Sequence, residues 1–276
     1  MQLDRMELAD IGNPRKMAAC VLSMIPNVAF PVPVEEIALA LEIRKIVDFD
    51  TDSFEGALLT DEAKTNCAIL VRSGTRPERR RFTIGHELGH YLMPLHIPTA
   101  EGFRCSQADM REEENIGTYS NSAWEAEANI FASELLIPPT HFKKNLRSSR
   151  NISIETLISL ANYFGVSKTA CGRRMTQLSD DPCAMLISKN GLIKNVYRHT
   201  DFPYIGLSIG MSVPRDSLAH TFKDDFGSIS DVETTEASAW RIREKSGLEI
   251  YDQVLLQADG WSLTFLTADS TEDDDD

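Results

Sequence analysis

The sequence lacks the features that mark secreted and membrane proteins. Its five cysteines are an odd number and include no CxxC pair, so nothing indicates a disulfide framework. The first residues are charged and contain no apolar stretch of the kind that signal peptides carry. No apolar run reaches the length of a membrane span. We therefore expect a cytoplasmic protein without a membrane segment.

Positive charge is also scarce. Twenty-eight Lys and Arg residues stand against 42 Asp and Glu residues, for a net charge of -14 at pH 7. This balance argues against a dominant nucleic-acid surface. Residues 271–276 form an acidic tail that we expect to be disordered. The 276 residues are 42% hydrophobic, which is enough to bury a sizeable core in more than one domain.

The most informative segment of the chain is RFTIGHELGH, at residues 81–90. It contains HExxH, the pattern of a zinc peptidase helix. His86 and His90 are four residues apart, so on a helix both rings point to the same side and can bind one Zn²⁺. Glu87 lies beside them, placed to act on a water rather than on the metal. Two nitrogens leave room for a third protein ligand and an open position, as in catalytic zinc sites.

The flanks of this segment distinguish a buried helix from an exposed one with two unrelated histidines. Apolar side chains recur at Ile84, Leu88 and Leu92, which favours a buried helix. Gly85 and Gly89 are again four residues apart. Because glycine weakens a helix, this pair predicts that another backbone packs closely against it.

The third ligand must come from elsewhere, and Glu125 is the leading candidate. On a helix, Glu125 and Asn129 share a face, so Glu125 can ligate zinc while Asn129 fixes a histidine tautomer. Glu127 projects roughly 200° away from Glu125 and cannot serve the same ion. The alternative is structural, because Ser122 and Glu125 have the spacing of a capping box.

Two other residues remain alternative ligands. His96 follows His86 by ten residues, the spacing of the third histidine in HExxHxxGxxH sites. That pattern needs glycine at position 93, where this chain has Met93 followed by Pro94. Cys105 lies in the polar stretch 98–121, which we expect to be an irregular loop. Its thiolate can occupy the open position and hold the site latent, or it can be an ordinary loop cysteine.

Hydrophobic patterns and turn residues predict the remaining elements. Helices are expected at residues 14–25, 34–41 and 123–137, a strand at 43–47, and a hairpin from strands 54–59 and 67–71. A helix, a glycine turn and a second helix over 154–178 resemble a helix-turn-helix. Asn190-Gly191 and Asp259-Gly260 each predict a β-hairpin. We divide the chain into 1–145, a helical segment 146–180, a mainly β domain 182–270 and the tail 271–276.

Two segments together resemble one known family. RFTIGHELGH at 81–90 is similar to its RFTxxHELGH motif, and EAEANIFASELLIP at 125–138 is similar to its ExEANxFAxxLLxP motif. This is the ImmA/IrrE family of bacterial zinc metallopeptidases, and the resemblance covers about residues 15–178. It implies an α+β, zincin-like domain with a small antiparallel sheet. It also implies His86, His90 and Glu125 as zinc ligands and Glu87 as catalytic base. Family members typically inactivate a helix-turn-helix repressor, so the expected partner is such a protein.

Two other functions compete with a zinc endopeptidase. Residues 141–175 hold seven basic residues against one acidic residue, Glu155, so this segment can contact phosphates in a DNA-binding regulator with a non-catalytic metal site. It can equally be a solvated face. A partner-sequestering, antitoxin-like module is the third reading, but pure binding has no need of Glu87. The sequence does not identify the substrate, the residue that stabilises the oxyanion or the role of the C-terminal domain.

Overall fold

A computed structural model describes residues 3–61, 63–98, 103–105, 120–149, 151–242 and 248–270. The predicted acidic tail lies outside them. Contacts divide the chain into two compact units. Unit 1 comprises residues 1–141 and 161–167, and unit 2 comprises residues 142–160 and 168–276. The helical segment predicted at 146–180 is thus shared between the two units.

Unit 1 contains a four-stranded sheet in the order β1-β3-β2-β4. Its strands are β1 (Ile43–Phe49), β2 (Gly56–Leu59), β3 (Cys67–Arg72) and β4 (Phe103–Cys105). The predicted hairpin is confirmed, since β2 and β3 pair antiparallel with Leu58 opposite Ile69. The prediction of an antiparallel sheet was wrong in one respect: β1 runs parallel to β3. The α+β fold class holds, with a mixed sheet.

The strand β4 corrects a second expectation. The stretch 98–121 was expected to be irregular, yet Phe103 to Cys105 pair antiparallel with β2, with Gly56 opposite Cys105. The prediction failed because three residues are too few to show a strand pattern. Among the described strands, β4 forms one edge of the sheet and β1 the other.

Unit 1 also contains helices, and the sequence supplies a side-chain cap for the first of them. They are α1 (Pro14–Ser23), α2 (Val34–Ala40), α3 (Pro77–Leu92) and α4 (Ser120–Leu136), preceded by a 3-10 turn at Arg5–Leu8. In α1, the Asn13 side chain accepts a hydrogen bond from the Lys16 amide at 3.1 Å, as expected for an N-cap followed by proline. The helices α1 and α3 both pack against α4.

Three further helices follow α4: α5 (Pro139–Ser148), α6 (Ile154–Phe164) and α7 (Lys168–Leu178). Helix α5 was not predicted, because Pro138-Pro139 follows the helix predicted at 123–137 and proline commonly ends a helix. Proline is well accommodated in the first turn of a helix, where its missing N–H costs nothing. Between α6 and α7, Gly165 has a φ of +63°, a conformation that favours glycine.

Unit 2 is built on a five-stranded antiparallel sheet in the order β6-β5-β9-β8-β7. Both predicted hairpins are present, β5–β6 around Asn190-Gly191 and β8–β9 around Asp259-Gly260. All four turn residues have positive φ, from 50° to 74°. Trp240 and Phe202 lie in the apolar core beside the sheet. The elements are β5 (Cys183–Lys189), β6 (Leu192–Arg198), α8 (Leu218–Thr221), β7 (Glu233–Thr235), β8 (Leu248–Leu256), a 3-10 turn (Ala258–Gly260) and β9 (Trp261–Ser270).

Hydropathy along the helices gives no sign of a membrane segment. In the described part of the chain, every helix is too short or too polar to cross a bilayer.

Candidate metal centre

The centre is built first on helix α3. His86 and His90 lie one turn apart on it, both fully buried, with their Nε2 atoms 3.1 Å from each other. The end of α3 is held by Lys64, whose Nζ donates to the carbonyl oxygens of His90, Tyr91 and Met93 at 2.8, 3.1 and 3.0 Å. The carbonyl oxygens of His90 and Tyr91 lie in the last turn of the helix, where no helical amide follows to bond them, so Lys64 satisfies them. The Met93 carbonyl oxygen also accepts from the His96 amide at 3.3 Å.

The two glycines of α3 let helix α4 approach it. A Cβ added at Gly89 would lie 3.1 Å from the Cα of Ala128, and one at Gly85 would lie 3.3 Å from the Cβ of Ala132. The predicted close packing at these glycines is therefore confirmed. It brings Glu125 of α4 to the histidines, with Oε2 3.0 Å from His86 Nε2 and Oε1 3.4 Å from His90 Nε2.

Strand β4 adds a fourth group. The Sγ of Cys105 lies 3.7 Å from His90 Nε2 and 3.9 Å from Glu125 Oε1. The ligand atoms of His86, His90, Cys105 and Glu125 all lie within 4.8 Å of one another. A tetrahedral zinc ion with ordinary bond lengths separates its nitrogen and oxygen ligands by about 3.4 Å, and nitrogen from sulfur by about 3.6 Å. The observed separations fit a single ion.

Hydrogen bonds on the far side of each ring settle which nitrogen faces the cluster. His86 Nδ1 donates to Asn129 Oδ1 at 2.8 Å, which matches the predicted sharing of one face by Glu125 and Asn129. The Nε2 of a neutral His86 therefore presents a lone pair to the cluster.

His96 orients the ring of His90 in the same way. Its Nε2 donates to Glu127 Oε2 at 2.9 Å, since a carboxylate only accepts. Burial lowers the pKa of His96, so its Nδ1 is an acceptor and receives the proton of His90 Nδ1 at 3.0 Å. Both ring nitrogens of His96 are thus engaged one step outside the cluster, although the sequence left it as an alternative ligand.

Acceptor atoms consequently face one another inside the cluster. The two Nε2 lone pairs and the Glu125 carboxylate lie 3.0 to 3.4 Å apart. Burial lowers the pKa of His90 to about 4, which keeps that ring neutral near pH 7. Burial also lowers the pKa of His86, but the hydrogen bond to Glu125 and the charge of Glu87 outweigh it, so the pKa of His86 is raised. These atoms repel one another at this distance unless a proton or a metal ion lies between them. Two imidazoles, a carboxylate and a thiol are groups that bind zinc, so the arrangement fits a bound metal.

Glu87 is buried beside the cluster without belonging to it. In the described part of the chain, neither of its carboxylate oxygens has a hydrogen bond of normal geometry. Burial raises its pKa to about 8; the charge of Glu125 adds to the shift, while His86 and the Cys105 thiol oppose it. A metal ion held by the neighbouring ligands would lower this pKa again and leave Glu87 as a carboxylate that can take up a proton.

Sequence reasoning missed two parts of this site. The role of Glu127 went unseen because only its orientation away from Glu125 was considered, and its contact with His96 joins residues 31 positions apart. The aromatic frame was also missed: Phe103 stacks on His90 at 4.5 Å, and Trp124 stacks on His96 at 5.5 Å. The available signal was the position of Trp124 next to the predicted ligand Glu125 in the sequence.

The basic segment 141–175 does not form an open positive surface along helix α7. Five of the eleven residues of α7 are buried, among them Arg174. On α5, Arg147 pairs with Asp180 through two hydrogen bonds of 2.7 and 3.1 Å. These contacts favour the structural reading of the segment, and Arg150 lies outside the described residues.

Comparison with known proteins agrees with this geometry. Residues 41–176 match the Peptidase_M78 family, described as the IrrE N-terminal-like domain. Metallopeptidase ImmA of Bacillus subtilis (strain 168) is 24% identical over 137 residues, which are 50% of this chain and 73% of that protein. A solved Mycobacterium tuberculosis transcriptional regulator aligns with a TM-score of 0.60 at 14% identity, over 95% of this chain and 79% of its own. That last likeness shows the fold alone.

The matched segment is a domain of a metallopeptidase family, and it contains all four groups of the cluster. Through it the chain belongs to the ImmA/IrrE family.

Proposed function

We propose that this protein is a zinc-dependent endopeptidase that cleaves a protein regulator. One observation carries the proposal: three acceptor groups, from His86, His90 and Glu125, converge on one point beside the buried carboxyl group of Glu87. A purely structural metal site would need the three ligands but not a second carboxyl group, that of Glu87, whose oxygens have no hydrogen-bond partner among the described residues.

The roles of the residues follow from their contacts. His86, His90 and Glu125 hold zinc. Asn129 fixes the ring of His86, and His96 with Glu127 fixes the ring of His90, so each ligand keeps one lone pair aimed inward. When bound, zinc would polarise the scissile carbonyl and make water more acidic.

Glu87 acts as general base and then as general acid. It takes the proton from the attacking water and passes it to the amine that leaves when the peptide bond breaks. Its burial supports this role, because water that is excluded from the site cannot compete for the proton.

The proposed substrate is a helix-turn-helix repressor, which makes the protein an anti-repressor. Membership of the ImmA/IrrE family supports a regulator as substrate, and the relative ImmA is named a metallopeptidase. The net charge of -14, the pairing of Arg147 with Asp180 and the burial of Arg174 make DNA itself the weaker candidate.

Glu87→Gln tests the chemistry with the fold left intact. Glutamine is nearly isosteric, so the variant should keep its zinc and capture the uncleaved partner from cell extract. General-base catalysis contributes about a hundred- to ten-thousand-fold in rate, and we expect a loss at the upper end, measured as cleavage of the captured partner by gel. His86→Ala should instead lose both zinc and activity.

A reporter for the partner's target promoter provides the matching test in cells. If Glu87→Gln relieves repression as well as the unmodified protein does, the chain acts by binding and the peptidase role is wrong. Salt-dependent DNA binding without cleavage of any partner would support the regulator reading instead.

A further inference from the structure

We infer that Cys105 is a fourth metal ligand and that strand β4 occupies the edge of β2 where an extended substrate would bind, so that the protein folds as a latent enzyme. The inference rests on the proposed zinc centre and adds its regulation. Two independent features carry it: the position of the Cys105 thiol in the cluster, and the pairing of β4 with β2.

The thiol stands where a fourth tetrahedral ligand would stand. It lies 3.7 Å from His90 Nε2, against about 3.6 Å expected between nitrogen and sulfur on one zinc ion. Cys105 is fully buried. Zinc sites with four protein ligands are closed and structural, whereas catalytic sites keep one position for water or substrate. With Cys105 bound, the centre is of the closed kind.

The backbone of β4 occupies the neighbouring sheet edge. It pairs antiparallel with β2, with Leu58 opposite Phe103, and the Glu55 amide donates to the Cys105 carbonyl oxygen at 3.0 Å. Extended peptide substrates commonly add as a strand to a free edge. Strand β4 fills this edge of β2 and also brings the Cys105 thiol to the metal ligands. It therefore occupies the position that a bound substrate peptide would take.

The interactions that keep β4 on the edge of β2 are weak. Among the described residues, three pair with β2, and each backbone hydrogen bond has a net contribution of about 1 kcal/mol. The ring of Phe103 also stacks on His90 at 4.5 Å. A longer substrate strand that forms more hydrogen bonds can therefore displace β4. Its departure removes the thiol from the metal and frees the fourth position in the same movement.

Cobalt replaces zinc as a visible probe of the ligand set. In the full chain loaded with Co²⁺ alone, we expect the strong near-ultraviolet absorption of a thiolate bound to cobalt. Cys105→Ser and Cys105→Ala should both lose this band, weaken Co²⁺ binding about tenfold or more, and cleave the partner protein faster than the unmodified chain. Cys67→Ser is the matched control, because Cys67 is buried on β3 beside Thr60 and should keep the band.

The outcomes separate the two claims. A wild-type protein that binds Co²⁺ without a thiolate band overturns the inference about Cys105 and leaves the proposed peptidase centre standing. A band that persists in both Cys105 variants has the same meaning. A wild-type protein that binds no divalent metal at all overturns the proposed function as well. Slower cleavage by the Cys105 variants, with metal still bound, would show that the thiol does not keep the enzyme latent.

Discussion

Both compact units bury polar side chains, and the two sets differ in what their polar atoms face. In unit 2, Gln253 donates to both oxygens of Glu155 and to the Ser230 carbonyl, and it accepts from the Ile154 amide at 2.8 Å. Its hydrogen-bonding capacity is met inside the protein. In unit 1, the lone pairs of His86, His90 and Glu125 face one another.

This difference distinguishes buried polar groups that stabilise the fold from those that form a binding site. A buried polar group that is fully hydrogen-bonded strengthens a fold, whereas one left unpaired costs about 1–3 kcal/mol. A fold keeps several such groups together where a ligand will satisfy them. The acceptor cluster of unit 1 therefore indicates a site, and the buried glutamine of unit 2 indicates packing.

The largest expected effect is the loss of metal from unit 1. Zinc at about a thousand times its Kd should add about 4 kcal/mol to the free energy of unfolding, and His86→Ala should remove that gain. Hydrogen exchange of individual peptides, with and without zinc, measures it unit by unit. We expect zinc to slow exchange in α3 and α4 and to leave the sheet of unit 2 unchanged.

His220→Ala is the control for this experiment, because His220 is exposed on α8 and should keep the full effect of zinc. Equal protection of both units by zinc would break the distinction between them.

The next effect concerns Glu127, which we take to position His90 through His96. Glu127→Gln keeps an acceptor but removes the charge, so zinc affinity should fall about tenfold, at the lower end for such partners. Chelator competition measures the affinity. Glu134→Gln on the same helix is the control: its ion pair with Arg15 lies elsewhere, so it can cost stability without changing zinc affinity. If the two variants lost zinc affinity equally, the effect of Glu127→Gln would come from a general loss of structure and not from the positioning of His90.

The close contact of α3 and α4 predicts a smaller, graded effect. Alanine for glycine in a helix normally gains about 1 kcal/mol, but overpacking costs about 1–3 kcal/mol. A Cβ at Gly89 meets backbone at 3.1 Å, whereas one at Gly85 meets a methyl group at 3.3 Å. Gly89→Ala should therefore be the more destabilising variant and should also weaken zinc binding. Chemical denaturation measures the free energy of unfolding of both variants. A Gly89→Ala variant more stable than the unmodified protein would contradict the packing argument.

The smallest effect belongs to unit 2. Burial raises the pKa of Asp252 from 3.8 to about 6, with the Leu218 amide opposing the shift and Glu233 adding to it. The charged form is disfavoured in the fold, so the contribution of Asp252 to the free energy of unfolding should rise as pH falls from about 6 towards 4. Asp252→Asn should remove this rise and gain about 1 kcal/mol at pH 7, well below the 3 kcal/mol or so that the full shift would allow, because the new amide N–H groups also need partners. Urea unfolding across this pH range measures the effect. If the free energy of unfolding of Asp252→Asn depended on pH as steeply as that of the unmodified protein, the assignment to Asp252 would be wrong.

Local patterns predicted much of this molecule because they depend on neighbours in sequence. The four-residue spacing of His86 and His90 and the turn pairs Asn190-Gly191 and Asp259-Gly260 each specify geometry within a few residues. The glycines of α3 predicted a close approach, and Asn129 was expected beside a histidine for the same reason of helical spacing.

Long-range features were not predictable in this way. The parallel pairing of β1 with β3 depends on how the chain returns to the sheet, which no local pattern records. The strand β4 is three residues long and lies in a polar stretch. The chain from His90 through His96 to Glu127 needs the relative position of two helices, which the sequence leaves open.

Zinc content is the most direct test of the central claim that α3 and α4 build one metal centre from His86, His90 and Glu125. We predict one zinc per chain in the purified protein, loss of zinc in Glu125→Ala, and retained but weaker zinc binding in His96→Ala. Elemental analysis of the three proteins after the same dialysis measures this. Zinc retained by Glu125→Ala and lost by His96→Ala would contradict the account, since His96 would then be the ligand.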